Sequence, residues 1–414
     1  MKNVFEMMEE NGAKKKMADF LVKQKQSYKF KKKYARLRAF EFVDQCDEHD
    51  MNYHVSVGGL DSIVLYLFLH SIGIEAIGVS TSHLEDKSIQ DVHKALGIIR
   101  LKSAKKADGT TWKKHEIIKE FGFPVISKEV AAKIELLQNP SERNKTVRHA
   151  IITGETGEYG GYQENSRMKL PQRWLELFGG YENETEGVNY KKPNFKCSSK
   201  CCYYLKEKPC DDWAKKNNSV PFLGLMASEG GRREKSLKLH GCNYWGKTTV
   251  RSCPFAIFMR QDILHMALEM DAWYHEHWQE FRPIKGTDEN GNVIYGEPIH
   301  LDSIIPKIYG EIVADPRTEK EKQKLLDQFF DLSEFDLNFK LRTTGAQRTG
   351  CSMCGFGIHK EKRPHRFDQL RERNEKEWEY LMYHMCVDED GNEYGWGRVL
   401  DYINVPWEDK IAVE

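Results

Sequence analysis

Residues 53–80 read YHVSVGGLDSIVLYLFLHSIGIEAIGVS. His54-Val55-Ser56-Val57 is a short apolar run of strand type, and Asp61 to Ile72 is a continuous apolar stretch with helical character. Glu75 to Ser80 returns to the strand pattern, and Gly58-Gly59 separates the first strand from the helix. Strand, glycine turn, helix and strand make a βαβ unit, which requires a parallel sheet with a right-handed crossover. The expected class is therefore α/β, a parallel twisted sheet with helices on both faces. Further strands are expected at Phe123–Ser127 and Val220–Ala227, and a helix over residues 257–280. Asp288–Gly291 and Asp388–Gly391 read as hairpin turns. The polar, glycine-bearing stretches Ser103–Trp112 and Asn139–Asn194 read as insertions or lids. The expected domains are a basic helical segment over 1–50, an α/β nucleotide-binding domain over 51–260 with insertions near 103–194, and a mainly helical region over 261–414.

The glycine turn is a phosphate cradle in outline. Two glycines let backbone N–H groups close on an anion without Cβ obstruction, and the helix that follows aims its N-terminal dipole at the same point. Ser62 adds a hydroxyl, while Asp61 can cap the helix or help to hold magnesium. Glycine turns before helices often serve chain geometry alone, so the flanking strands carry the reading.

The 414 residues carry 63 basic and 63 acidic side chains, so no net field draws the whole chain to nucleic acid or acidic lipid. No apolar run approaches the roughly 18 residues of a membrane span, and no signal-peptide core opens the chain. The expected location is the cytoplasm, away from membranes. Lys14–Arg38 is a local exception, a lysine- and arginine-rich stretch interleaved with Phe20, Tyr28, Phe30 and Tyr34. It reads either as a solvated helical face or as a nucleic-acid site that neutralises phosphates and stacks on bases.

Ten cysteines in such a chain argue for reduced thiols rather than a disulfide framework. Cys46 and Cys386 read as core fillers. Cys201-Cys202 and Cys351-Ser-Met-Cys354 are pairs, and two pairs complete a four-sulfur shell for zinc or an iron–sulfur cluster. Adjacent cysteines are awkward on one tetrahedral zinc but natural on separate irons, which favours the cluster. Buried, unligated thiols are the plainer alternative, and Cys242 and Cys253 are reserve ligands.

With these residues in hand the chain resembles the PP-loop ATP pyrophosphatases, the adenine nucleotide alpha hydrolase-like superfamily that includes the phosphoadenosine phosphosulfate (PAPS) reductase family. Val57-Gly58-Gly59-Leu60-Asp61-Ser62 is similar to the SGGxDS loop, with Val57 in place of the first serine, Ser56 one residue early, and Leu60 where lysine is common. Thr81-Ser82-His83-Leu84 falls where reductase-like members carry a segment near the nucleotide. Cys201-Cys202 with Lys206 looks like the tandem-cysteine motif of adenylylsulfate reductases, and Gly231-Arg232-Arg233 resembles their anion-gripping segment. Arg348-Thr349-Gly350-Cys351-Ser-Met-Cys354-Gly-Phe-Gly357 resembles the RTGCxxCxFG ending of phage-type members. The resemblance covers roughly residues 50 to 370.

The resemblance implies a [4Fe–4S] cluster on Cys201, Cys202, Cys351 and Cys354. It also implies ATP or a sulfonucleotide held with Mg2+ by Ser56, Gly58, Gly59, Asp61, Ser62, Thr81, Lys206, Gly231, Arg232 and Arg233. Asp61, Ser62, Arg232 and Arg233 are the expected catalytic set. The implied reaction is ATP pyrophosphate cleavage coupled to sulfur transfer, with nucleic acid a possible acceptor through Lys14–Arg38. The implied assembly is a homo-oligomer, or an accessory to a sulfur-donor or nucleic-acid complex. A true sulfonucleotide reductase would need a separate cysteine nucleophile, and Val405–Glu414 carries no Glu-Cys-Gly-Leu/Ile-His pattern. A non-catalytic accessory protein with a structural cluster is the remaining alternative.

Overall fold

A computed structural model of the protein describes residues 4–155, 168–180, 190–289, 293–328, 336–347, 349–351 and 354–407, with the side chains of residues 4–11, Ser82 and Arg232 outside that description. The chain packs as two compact units, each made from two distant segments: Met1–Lys102 with Pro209–Gly350, and Ser103–Lys208 with Cys351–Glu414. The expected boundaries after residues 50 and 260 both fall inside the first unit.

The first unit is α/β. Its helix α1 (Val4–Gln24) leads into α2 (Tyr28–Glu48), which starts where Ser27 accepts a hydrogen bond from the Phe30 N–H. Lys31, Ala35, Ala39, Phe42 and Cys46 form the buried stripe of α2 at helical spacing. Strand β1 (Asn52–Ser56) enters the sheet, α3 (Leu60–Ser71) follows the glycine turn, and β2 (Ile77–Ser80) returns parallel to β1. After α4 (Lys87–Ala95), β3 (Ile99–Arg100) extends that side. With β4 (Val125–Ile126) assigned to the second unit, β5 (Ser219–Phe222), β6 (Asn243–Trp245) and β7 (Val250–Ser252) complete the six-stranded sheet of the first.

The sheet order is β3-β2-β1-β5-β7-β6, parallel except for the antiparallel β6–β7 pair. The winding direction reverses between β1 and β5. Ligands of open α/β sheets bind at such a switch point, beyond the carboxyl ends of the strands. Helix α3 is buried from Ile63 through Leu69, as a helix apolar all round must be. The observed strands and helix lie within a few residues of the sequence expectations, including the helix Arg260–His277, except that the strand expected over Val220–Ala227 ends at Phe222.

The second unit has its own core. Ile118, Phe123, Trp174 and Phe178 pack with Phe367, Trp396, Val399 and Leu400. Strand β4 pairs in parallel with Gly355–Phe356, Gly355 beside Val125 and Phe356 beside Ile126. Much of the stretch read as insertions or lids is therefore core-forming, because its apolar residues meet a complementary set more than 150 positions away. The turn at 388–391 joins paired strands Cys386–Val387 and Glu393–Tyr394. Asn290 and Gly291 of the other expected hairpin turn lie outside the described residues. Among the described residues no helix is long and apolar enough to cross a membrane.

The basic segment is partly structural. Lys31 is fully buried, and its Nζ donates to Asp262 Oδ2 at 2.8 Å. Asp262 also accepts the Met259 N–H at 2.7 Å, closing the start of the helix that carries it. Lys31 thus has no surface role, and Lys32 beside it is bonded to Glu269. Lys31→Met is expected to destabilise the protein by about 3–5 kcal/mol, since it strands a buried carboxylate. Lys31→Met with Asp262→Leu should recover much of that loss in urea denaturation.

Candidate functional site

The glycine loop stands at the carboxyl end of β1, next to the sheet's reversal. The Val57 N–H donates to Val79 O at 2.8 Å, continuing the ladder to the loop's edge. Gly59 is the N-cap of α3, and the Gly58 N–H donates to Ser62 Oγ at 2.7 Å. Ser62 Oγ in turn donates to Gly59 O at 2.9 Å. Ser56 closes β1, while Thr81 is buried just past β2, so both stand at neighbouring strand ends. Gly224, after β5, comes close to the start of α3: a Cβ there would lie 3.0 Å from Asp61 O and 3.1 Å from Ser62 Cα.

Four side chains complete this end, none of them expected at the loop, although Thr349 belongs to the motif that carries Cys351 and Cys354. His93 Nε2 donates to Gly58 O at 2.8 Å from α4. Tyr309 Oη accepts the Leu60 N–H at 3.1 Å and is bonded to Thr349 Oγ1 at 2.7 Å. These two hydroxyls are why position 59 needs glycine, since a Cβ there would lie 2.6 Å from Tyr309 Oη and 3.0 Å from Thr349 Oγ1. Arg260 donates to Asp61 Oδ1 at 2.8 Å and to Gln347 O at 3.2 Å. Two N–H groups of the glycine loop, those of Gly58 and Leu60, are thus turned on the chain's own hydroxyls.

The glycine-arginine segment opens the helix Gly231–His240, with Gly230 and Gly231 both at positive φ. Arg233 pairs with Glu229 at 3.1 Å and is largely exposed. The Arg232 side chain and Arg348 lie outside the described residues. Cys242 and Cys253 also belong to this unit, at the β6–β7 edge, where the Cys253 N–H donates to Cys242 O at 2.8 Å. Arg251 Nη1 contacts Cys253 Sγ at 2.9 Å.

The second unit gathers the predicted thiols. Cys201 and Cys202 end a short α-turn, Lys200–Cys202, that runs directly into a π-turn, Tyr203–Glu207. Adjacent helical side chains diverge by about a quarter turn, so each sulfur has its own direction. Cys351 and Cys354 precede the strand paired with β4, and the Cys354 N–H donates to Cys351 O at 3.1 Å. Arg366 holds Cys354 O at 3.0 Å. Position 355 must be glycine, because a Cβ would lie 2.4 Å from the Trp396 ring.

All four cysteines line one hollow with Lys114, Pro124, Leu205 and Lys206, an empty volume of about 240 Å³ that includes open solvent. Burial pushes the Cys201 and Cys202 thiols up to about 12. Cys354 rises for the same reason, against the pull of Lys114. Such thiols ionise when a metal displaces their protons. Among the described residues no group of three His, Cys, Asp or Glu side chains is set to hold a single metal ion. Ser352 and Met353 lie outside the described residues.

No family model, curated protein or solved structure matches the chain.

Burial pushes His93 and His54 down to about 4. An unfolded histidine titrates near 6.5, so between those values the unfolded chain binds more protons. Their contribution is thus complete above pH 6.5 and lost as pH falls toward 4, at up to about 1.4 kcal/mol per unit for each group. The melting temperature should fall over that window, and His93→Gln should flatten the decline.

Proposed function

We propose that this chain is a PAPS reductase-like PP-loop protein that binds an adenine nucleotide and a [4Fe–4S] cluster and couples ATP pyrophosphate cleavage to sulfur transfer. The observation that carries the reading is the convergence of Cys201, Cys202, Cys351 and Cys354 on one hollow. Its described lining offers four soft thiols and two lysines, with neither carboxylate nor imidazole, a donor set suited to iron–sulfur chemistry. A cluster would let the adjacent Cys201 and Cys202 bind separate irons. Once bound, it supplies iron able to hold or hand on a sulfur atom.

Support for the nucleotide half comes from the glycine loop at the switch point of a mostly parallel sheet. In the proposed reaction an acceptor oxygen attacks the α-phosphorus of ATP, the α–β bridging bond breaks, and pyrophosphate departs. Phosphate oxygens are stronger acceptors than neutral hydroxyls, so they would take the Gly58 and Leu60 N–H groups from Ser62 and Tyr309. Arg260 would exchange Asp61 for a phosphate, leaving that carboxylate to magnesium. Arg233 would leave Glu229 at little cost, because exposed ion pairs are weak. By the family resemblance, Ser56, Thr81, Gly231 and Arg232 would border the nucleotide. Lys206 lends positive charge beside the thiols. A sulfonucleotide would use the same anion contacts.

A nucleic-acid acceptor is supported by an open hollow, an empty volume of about 720 Å³ that includes open solvent, where Lys16, Lys23, Lys238, His240 and Tyr34 outnumber the one acidic lining residue, Asp19. One observation favours a second reading, a non-catalytic nucleotide-binding accessory: the loop's Gly58 and Leu60 N–H groups already have partners. Incubation with ATP and magnesium separates the two. Slow release of pyrophosphate is expected, reduced at least tenfold in Asp61→Ala with an unchanged melting temperature. Wild-type release in Asp61→Ala would refute the loop's role, and no release from either protein would leave the accessory reading.

A further inference from the structure

Lys114 stands first in α5 (Lys114–Phe121), where the helix N-terminus already carries partial positive charge. Its Nζ is shut off from solvent and has no hydrogen-bond partner among the described residues, yet the residue lines the four-thiol hollow. The carboxylate on the same turn, Glu116, is taken by Lys106 at 2.9 Å and by the Lys113 N–H at 2.9 Å. Three rings fix the arrangement. Trp112, Phe121 and Tyr204 meet pairwise at centroid distances of 5.3–5.6 Å, pinning α5 to the π-turn that follows Cys202. A buried ammonium without a partner costs several kcal/mol, so such a placement is sustained by an anion.

We propose that Lys114 is a positioning and charge-compensating residue for the thiolate centre, its ammonium set against the sulfurs of Cys201 and Cys354. The proposal rests on the cluster reading above. An oxidised [4Fe–4S] core with four thiolates carries a net charge of about −2, and one-electron reduction adds another negative charge. Lys114 and Lys206 supply two positive charges at the hollow. Lys114 favours binding of the centre, and it favours the reduced form more than the oxidised one. Both effects belong to this chain's own side chain and need no substrate.

The test compares full-length wild type, Lys114→Met and Lys114→Arg, purified anaerobically. Iron content, midpoint potential by dithionite titration and iron loss to a chelator are the readouts. Methionine should lower the reduced-to-oxidised ratio at a fixed poise about tenfold, a negative shift of about 59 mV for a one-electron couple. It should also speed iron loss severalfold, and arginine should restore both values toward wild type. If methionine abolishes the cluster, retention by arginine together with a wild-type apoprotein melting temperature supports the proposal, and loss in both variants overturns it. Wild-type potential and iron retention in Lys114→Met would also overturn it while leaving the cluster reading intact. A wild-type protein without iron would retire both.

Discussion

Thiols packed together away from water stay protonated until something takes their protons, and the second unit is arranged around that constraint. Cys201 and Cys202 are held by a turn that changes from α to π, while Cys354 is held by a glycine strand and an arginine on its carbonyl. Burial raises all three thiols well above neutrality. Lys114 supplies the opposite influence without a carboxylate of its own. A metal centre would resolve both imbalances at once, trading protons for a soft cation and giving the ammonium a negative neighbour.

The first unit obeys a different constraint. Helix α3 is apolar over most of its surface, so it has to lie in the core, and its start has to sit at the end of β1. That placement leaves the glycine turn at the sheet's switch point. The turn is then held by His93, Tyr309 and Thr349, while Arg260 pairs with the Asp61 carboxylate. These contacts hold the backbone in shape and satisfy its donors, so a phosphate would replace existing bonds rather than fill bare ones. Nucleotide affinity would then depend on the difference between two sets of hydrogen bonds, not on the number of donors.

The parts legible in the sequence are those with local periodicity or paired chemistry. β1, α3 and β2 announce themselves through a change of apolar pattern around two glycines, and the thiol pairs through spacing alone. Tyr309, Arg260 and His93 carry no such signal, because each reaches the loop from an element remote in sequence, and Thr349 shows only as part of the motif before Cys351. Lys31 was hidden differently: within a basic run it looks solvated, and only its α2 spacing with Ala35 and Ala39 hints at burial. The second unit was obscured because residues near 118–178 and 367–407 each hold only part of one core. Lys114 reads as one lysine among many until the hollow around it is seen.

The central claim is that two thiol pairs hold one iron–sulfur centre. Its most direct test is the iron and acid-labile sulfide content of anaerobically purified protein, set beside Cys202→Ser and Cys354→Ser. The account predicts about four irons and four sulfides per chain, with loss in either variant. A colourless protein carrying zinc, or one whose iron is indifferent to both substitutions, would contradict it.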